Sequence, residues 1–289
     1  MPGLMLYCLG YMLALLAGFE NDLTKFFWGY VIFGSAQLSV SFSNNYFDRH
    51  SDRNSVKTAF SGGSKILLEN PELQFYALFI SIFLLCFSII VNLIFTVVYA
   101  YPIWFFIFVL FGGLLGWFYT APPLKFAYRS LGELSTMLAV GFFMPGMGYF
   151  VVSGTLDSLF KLIILPLSCY GLFFIITVEL PDLESDALAN KKNFLVKWGR
   201  TTGKFISVLA TGFGTLMLTM LFVLGIANEM IDWKPFAIFS IFPLVASITA
   251  LICRTKKRKN IVKQVMVNMS SMIGFLFLID ITLFFQYTF

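Results

Sequence analysis

The sequence predicts an all-α protein embedded in a membrane as a bundle of nine transmembrane helices. Of its 289 residues, 58% are hydrophobic and only 12% are charged, whereas a soluble domain carries about 25% charged residues. Backbone polar groups in lipid must be satisfied within the protein, so only helices and closed barrels span a bilayer. The apolar segments are continuous and do not alternate with polar residues, and this pattern favours helices over a barrel.

Nine apolar runs have about the 20 residues that a helix needs to cross the hydrocarbon core. They are predicted at 3–19, 26–46, 73–97, 99–118, 132–152, 159–180, 203–227, 235–253 and 264–286. The first run has neither a basic lead-in nor a small-residue cleavage site after it, so it is interpreted as a span and not as a signal peptide. We therefore expect residues 1–289 to form a single membrane-embedded domain.

The basic residues predict the orientation of this bundle. All but Lys25, Lys161 and Lys234 of the 20 Lys and Arg residues fall on one side, after spans two, four, six and eight. Lys and Arg accumulate on cytoplasmic loops. The sequence thus predicts a multi-pass protein of the cell membrane with a cytoplasmic N-terminus. The basic run RTKKRK at 254–259 is interpreted as a contact with lipid headgroups.

The stretch NNYFDRHSD, residues 44–52, follows the second apolar run. In a helix, Asn44, Asp48 and Asp52 would share one face, because residues four apart are neighbours on the helix surface. Three oxygen-bearing side chains on one face suit a hard cation. Taken alone, the stretch fits equally well a polar helix end that enters water.

A second acidic stretch, VELPDLESDALANKK, follows the sixth run on the same predicted side. Asp182 and Asp186 repeat the spacing of Asp48 and Asp52, and Glu179 and Glu184 lie beside them. The four spans between the two pairs indicate an internal repeat of two four-helix units. Like charges four residues apart destabilise a helix, so a repeated pair favours a bound cation.

The cation that suits these pairs best is Mg²⁺, with Mn²⁺ in its place as a second choice. Mg²⁺ binds through one or two carboxylates together with the phosphates of a substrate. Calcium would favour more oxygen ligands from one loop, and no such spacing occurs. Two carboxylate pairs at the mouth of an apolar bundle therefore predict a substrate with a diphosphate head and a lipid tail, and no nucleic-acid partner.

Several polar residues near the acidic stretches are candidates for binding this diphosphate. Arg and Lys are the usual phosphate ligands of proteins. Each basic residue alone is explained as a positive charge of a cytoplasmic loop. Taken together, these residues suggest a phosphate-binding site. The candidates are Lys57, Tyr119, Lys125, Arg129, Lys191 and Lys192.

Other titratable residues give weaker signals. The four cysteines are scattered singly, and the lone His50 has no partners for a zinc site. Asp280 lies within the ninth span, where a carboxylate is either functional or bonded to a neighbouring helix.

At these acidic stretches the sequence resembles the UbiA superfamily of intramembrane prenyltransferases. The family motif Asn-Asp-x-x-Asp-x-x-x-Asp is matched at residues 44–52, with Asn45 in place of the usual Asp. The motif Asp-x-x-x-Asp is matched by Asp182 and Asp186, and YTAPPLK is similar to the segment Tyr-x-x-Pro-Pro-x-(Lys/Arg). The resemblance implies a central cavity roofed by the loops after spans two and six. It also implies Mg²⁺-dependent transfer of a prenyl group from a prenyl diphosphate to a hydrophobic acceptor.

Two departures from the family pattern affect the expected site. Asn45 removes one possible carboxylate ligand of the metal, and Asn193 stands where Thr is common. The stretch KTAFSGGSKIL is more similar to the menaquinone-type branch. The acceptor stays open between a naphthoate, a hydroxybenzoate, haem and an isoprenoid glycerol phosphate.

Two other classes of membrane protein also use acidic residues. A cation-coupled transporter would fit paired acidic sites, but its sites lie near the bilayer midplane, whereas these stretches lie at span ends. A CDP-alcohol-type phosphotransferase has one compact Asp-Gly-rich motif, which the sequence lacks.

Overall fold

The computed structural model describes residues 2–55, 57–60, 62–253, 255 and 257–289, and within them the chain is all-helical and has no β-strand. Arg254 and Lys256 of the basic run lie outside the described residues. The long helical segments are α1 (Pro2–Leu16), α2 (Leu23–Phe47), α3 (Leu73–Val98), α4 (Ile103–Trp117), α5 (Gly132–Ser153), α6 (Ser158–Glu179), α7 (Phe194–Val223), α8 (Lys234–Ile252) and α9 (Arg258–Thr288). Short helices occupy Ser51–Asn54, Ile66–Glu69, Phe126–Tyr128 and Leu183–Leu188. The predicted all-α class is confirmed.

The number of membrane spans is only partly settled by helix length and composition. In the described part of the chain, α3 and α5 to α9 give 6 helices that are long and apolar enough to cross a membrane. The helices α1 and α4 are apolar but shorter. The helix α2 is long, but its second half contains Ser, Gln and Asn at several positions. The count of nine spans therefore stays a prediction.

Side-chain hydrogen bonds join α2 to α3. The hydroxyls of Ser39 and Ser81 each donate to the backbone carbonyl of the other at 2.7 Å. The hydroxyl of Ser88 donates to the carbonyl of Ile32 at 2.8 Å. Small hydroxyl residues let helix backbones approach closely and supply interhelical hydrogen bonds. This packing fixes α2 against α3 and so positions Asp48, which directly follows α2 and is 9% exposed.

The helices α1 and α5 cross in direct backbone contact at two glycines. A Cβ atom at Gly10 would lie 1.8 Å from the carbonyl oxygen of Pro145, and one at Gly148 would lie 1.8 Å from that of Tyr7. Around this crossing, Leu6, Tyr7 and Leu9 are fully buried. The two glycines therefore set the distance between α1 and α5.

We expect Gly148→Ala to lower the thermal stability of the protein in detergent. The added methyl group must push two backbones apart, and overpacking of this kind costs about 1–3 kcal/mol. The matched control is Gly274→Ala on α9, because a Cβ atom there meets nothing within 4 Å. That change should be neutral or stabilising, since Ala has the higher helix propensity. Equal effects of the two substitutions on thermal unfolding would contradict the close crossing.

The start of α7 differs from the sequence-based expectation. The predicted span was 203–227, but the helix begins at Phe194 and is kinked at Gly199, whose φ of 80° is left-handed. The Asn193 side chain caps this start by accepting a hydrogen bond from the Val196 N–H at 2.9 Å. Lys197 and Arg200 therefore belong to a helix and not to a loop. Hydropathy alone does not detect such a polar first turn.

Candidate active site

The first acidic stretch forms two consecutive turns at the end of α2. The α-helix ends at Phe47, and Asp52 lies in the separate 3₁₀ helix Ser51–Asn54. The expected single helical face through Asp52 is therefore wrong. Backbone hydrogen bonds from the Asp48 N–H to the Asn44 carbonyl (2.9 Å) and from the Asp52 N–H to the Asp48 carbonyl (2.8 Å) nevertheless keep the four-residue spacing.

The second acidic stretch has a similar local structure. Helix α6 ends at Glu179, and Asp182 is the N-cap residue of the short helix Leu183–Leu188. The Asp186 N–H donates to the Asp182 carbonyl at 2.8 Å. This short helix contacts the 3₁₀ helix that carries Asp52.

The two acidic stretches meet around one lysine. The Lys191 ammonium lies 3.1 Å from Asp48 Oδ2 and 3.3 Å from Asp186 Oδ1. All three side chains are largely buried. The Gly62 N–H, in the loop after the first stretch, donates to Asp182 Oδ2 at 3.1 Å. Residues far apart in the sequence thus form one cluster.

A cavity of about 140 Å³ lies beside this cluster. It is lined by Asp52, Glu179, Asp182, Asp186, Lys191, Tyr119, Asn193, Ser55, Ser185, Phe60, Ala127, Ile175 and Val178. The lining therefore combines four carboxylates with one ammonium and several apolar side chains.

The electrostatics of the cavity are those of an anion-rich site with one fixed cation. Burial and the nearby Asp48 carboxylate raise the pKa of Asp52 to about 6. Burial also raises the pKa of Asp186. Burial alone would lower the pKa of Lys191, but the carboxylates of Asp48 and Asp186 outweigh it and raise that pKa well above its usual value. Lys191 is therefore charged, and the carboxylates remain in excess.

The donor set fits a hard cation that shares its ligands with a substrate. Among the described residues, no three His, Cys, Asp or Glu side chains converge as a ready-made metal cage. The carboxylates are instead spread around the cavity, and Glu179 Oε2 is buried without a hydrogen-bond partner. Mg²⁺ characteristically takes one or two protein carboxylates and completes its shell with water and phosphate oxygens.

Comparison with protein-family models decides the family. The model described as the UbiA prenyltransferase family matches residues 4–272. The chain belongs to the UbiA prenyltransferase family. The resemblance to this family is thereby confirmed, and with it the expected class of enzyme, a prenyltransferase, in a multi-pass membrane protein. Assignment to the menaquinone-type branch stays a prediction.

Solved structures of UbiA proteins share this fold. A UbiA homologue from Aeropyrum pernix K1 without ligand is 15% identical, with a TM-score of 0.66 over 94% of this chain and 97% of that one. A UbiA homologue from Archaeoglobus fulgidus bound to GPP and Mg²⁺ is 17% identical, with a TM-score of 0.60 over 97% and 99% of the two chains. A structure from work on digeranylgeranylglyceryl phosphate synthase in membranes is 15% identical, with a TM-score of 0.62 over 97% and 91%. No curated protein matches the chain.

Three residues that the sequence did not single out as site residues bond the acidic motifs of this UbiA protein, and a fourth, Glu133, bonds the start of α7. The Tyr128 hydroxyl donates to Asp48 Oδ1, the Thr120 hydroxyl to Asn44 Oδ1, and the Asn193 amide to Asp186 Oδ2, each at 2.8 Å. The Glu133 carboxylate accepts from the Phe194 N–H at the start of α7. Thr120 and Tyr128 lie in the YTAPPLKFAYR stretch, and Asn193 was noticed only as a departure from the family pattern.

Several predicted site residues lie away from the cavity. The side chains of Lys57, Lys125, Arg129 and Lys192 are exposed, and none of them lines it. The Asn45 amide donates to the Ser41 carbonyl of its own helix at 3.0 Å. Asp280 on α9 also lies outside the lining, and its Oδ1 is buried without a hydrogen-bond partner. Only Tyr119 and Lys191 of the predicted diphosphate ligands line the cavity, and every residue's role stays a prediction.

Proposed function

We propose that this UbiA-family protein transfers a prenyl group from a prenyl diphosphate to a hydrophobic acceptor, with Mg²⁺ or Mn²⁺ as cofactor. The observation that carries the proposal is the meeting of both acidic motifs around Lys191 at one cavity. The Archaeoglobus fulgidus homologues bound to Mg²⁺ with DMAPP or GPP give the class of donor.

In this proposal the residues that hold the metal are Asn44, Asp48, Asp52, Asp182 and Asp186. Bound Mg²⁺ would neutralise charge that develops on the departing diphosphate. The hydrogen bonds from Tyr128 and Asn193 fix the carboxylates of Asp48 and Asp186. Lys191 supplies a positive charge to the phosphate oxygens. Preorganised charges of this kind are effective because they need no reorganisation during the reaction.

The apolar part of the site protects the allylic cation that ionisation leaves behind. Water would capture this cation, so the cavity must exclude it. Phe60, Ile175 and Val178 line the acidic cavity itself. A second, apolar cavity of about 110 Å³ lies between α2, α4 and α5, and among the described residues that line it only Gln37 has a polar side chain. We assign the prenyl tail to this second cavity, because residues of α2 line it and the first acidic motif lies at the C-terminal end of the same helix.

Turnover with a panel of substrates tests this function. The purified protein in detergent is incubated with labelled prenyl diphosphates of several lengths and with a naphthoate, a hydroxybenzoate, haem and an isoprenoid glycerol phosphate. We expect Mg²⁺-dependent release of diphosphate and a prenylated product with one acceptor class. Cation-dependent movement of a solute across proteoliposomes without any product would instead identify a transporter. The position of the motifs at helix ends, away from the middle of the helices, favours the enzyme.

We further propose that both acidic motifs and the N-terminus face the cytoplasm, as the distribution of basic residues indicates. In a background without the four native cysteines, single cysteines at Lys57 and Asn190 should react with an impermeant reagent from the cytoplasmic side. A cysteine at Asn228 should react from the other side. All three positions are exposed. Labelling of Lys57→Cys and Asn190→Cys from opposite sides would contradict this topology and the shared site.

A further inference from the structure

A third cavity, with a largely polar wall, opens between the end of α8 and the start of α9. Its volume is about 380 Å³, larger than that of the acidic cavity. One part of its wall is apolar and consists of Ala246, Ala250 and Val267, and the remainder is Thr249, Cys253, Thr255, Asn260, Lys263, Gln264 and Asn268. The start of α9 packs on the end of α6 through Ile261 and Val265. The cavity therefore lies at the end of the bundle that carries the acidic motifs.

A buried cation lies directly behind this cavity. Lys204 on α7 is 6% exposed, and its ammonium donates to the Cys253 carbonyl at 3.1 Å and to Gln264 Oε1 at 2.8 Å. Both acceptors belong to residues of the cavity wall. In the described part of the chain, Lys204 forms no ion pair with a carboxylate.

The protein itself compensates this charge incompletely. The Cys253 carbonyl ends α8, and the dipole of a helix C-terminus amounts to only about half an elementary charge. A buried charge without a partner costs free energy unless an anion approaches it. The cavity wall carries no acidic residue in the described ranges, and it adds a second cation, Lys263. The field in the cavity therefore favours an anion.

The remaining polar groups add hydrogen-bonding capacity to the same wall. Asn268 is 2% exposed, and its Oδ1 has no hydrogen-bond partner, while its amide lies 3.5 Å from Thr177 Oγ1. The Thr249 hydroxyl donates to the Ala246 carbonyl of its own helix at 2.8 Å, and the Asn260 amide donates to Thr255 Oγ1 at 3.2 Å. The second N–H of Asn260 and the O–H of Thr255 are the donors left for a phosphate oxygen, whereas the Asn268 Oδ1 acceptor suits a ligand hydroxyl. The combination of cations, hydrogen-bonding groups and an apolar strip at the end of membrane-length helices suits an amphiphile with an anionic head.

We propose that this cavity binds a phosphate headgroup, with the phosphate beside Lys263 and Gln264 and an apolar chain along Ala246, Ala250 and Val267. The bound phosphate compensates the charge of Lys204. The site is separate from the acidic cavity and does not depend on the proposed reaction. A membrane phospholipid and free phosphate share this chemistry, and the experiment below separates them.

Lipid retention measured by native mass spectrometry tests the site. The delipidated protein is mixed with phosphatidylglycerol or phosphatidylcholine in micelles, with and without inorganic phosphate. We expect retention of phosphatidylglycerol over phosphatidylcholine, and a loss of about tenfold or more in Lys204→Met and Lys263→Gln, the scale of removing a charge partner. The control variant is Lys161→Met at the other end of α6, which does not line the cavity.

The possible outcomes are distinct. Displacement of phosphatidylglycerol by millimolar phosphate, or phosphate binding without a lipid preference, would keep the anion site but assign it to free phosphate. An unchanged lipid preference in Lys263→Gln, together with only a lower melting temperature in Lys204→Met, would overturn the proposal. In that case Lys204 would serve only to cap α8. Lys263 is exposed, so Lys263→Gln keeps the test valid even if Lys204→Met does not fold.

Discussion

Asp48→Asn and Asp182→Asn should each lower the turnover of a matched prenyl diphosphate and acceptor by about a hundredfold or more, the scale of losing a key electrostatic stabiliser. Asp48 contacts Lys191 at 3.1 Å, and Asp182 accepts the Gly62 N–H at 3.1 Å, so both belong to the joined cluster. Because groups that act as a unit are strongly non-additive, the double variant should be little worse than either single one.

Glu184→Gln is the control for this experiment. Glu184 lies on the same short helix, but its carboxylate pairs with Arg200 and its side chain is 62% exposed. Exposed ion pairs contribute little to stability, and Glu184 does not line the cavity. We expect nearly normal turnover. Near-normal turnover of a folded Asp48→Asn or Asp182→Asn protein would show that the two motifs do not form one site.

The second large effect is expected for Lys191→Met. Without the ammonium, the buried carboxylates of Asp48 and Asp186 lose their shared partner, and breaking a buried pair typically costs about 3–5 kcal/mol. Thermal stability in EDTA should therefore fall well below that of the unmodified protein. Mg²⁺ should restore more stability to this variant than to the unmodified protein, because the metal replaces the missing positive charge. Turnover should still fall by about a hundredfold, because the variant lacks the positive charge that stabilises the departing diphosphate.

Lys192→Met is the matched control, because Lys192 is the next residue but is exposed and lies outside the cavity lining. It should leave both stability and turnover nearly unchanged. If Lys191→Met were as stable in chelator as Lys192→Met, the bridging role of Lys191 between the motifs would be wrong.

The sequence predicts those features that depend on hydropathy and on motif spacing. Long apolar runs such as that of α3 exceed the length needed to cross a bilayer, so their helical state follows directly from the composition. The two acidic motifs can be found from the sequence because both contain a pair of Asp residues at the same four-residue spacing. The meeting of residues 48 and 186 follows only from the resemblance and the predicted topology, since spacing says nothing about distant contacts.

The sequence does not predict which loop side chains face the cavity and which face solvent. Lys125 has a φ of 47°, in the left-handed region that residues other than glycine seldom adopt. Its side chain is exposed, with the ammonium 5.6 Å from the centre of the Tyr128 ring. Lys191 and Lys192 are adjacent and chemically identical, yet only Lys191 faces the cavity. Composition treats such residues alike, whereas irregular backbone geometry separates them.

The metal dependence of prenyl diphosphate binding tests the central claim most directly, because it needs no knowledge of the acceptor. GPP is titrated into the purified protein by calorimetry, first with Mg²⁺ and then with excess EDTA. The carboxylates around the cavity outnumber its one ammonium, so the diphosphate should be repelled unless a metal lies between them. We predict binding with Mg²⁺, recovery with Mn²⁺ after chelation, and no measurable binding in EDTA. Undiminished binding in EDTA would contradict the account, because the acidic motifs would then not bind the diphosphate through a metal.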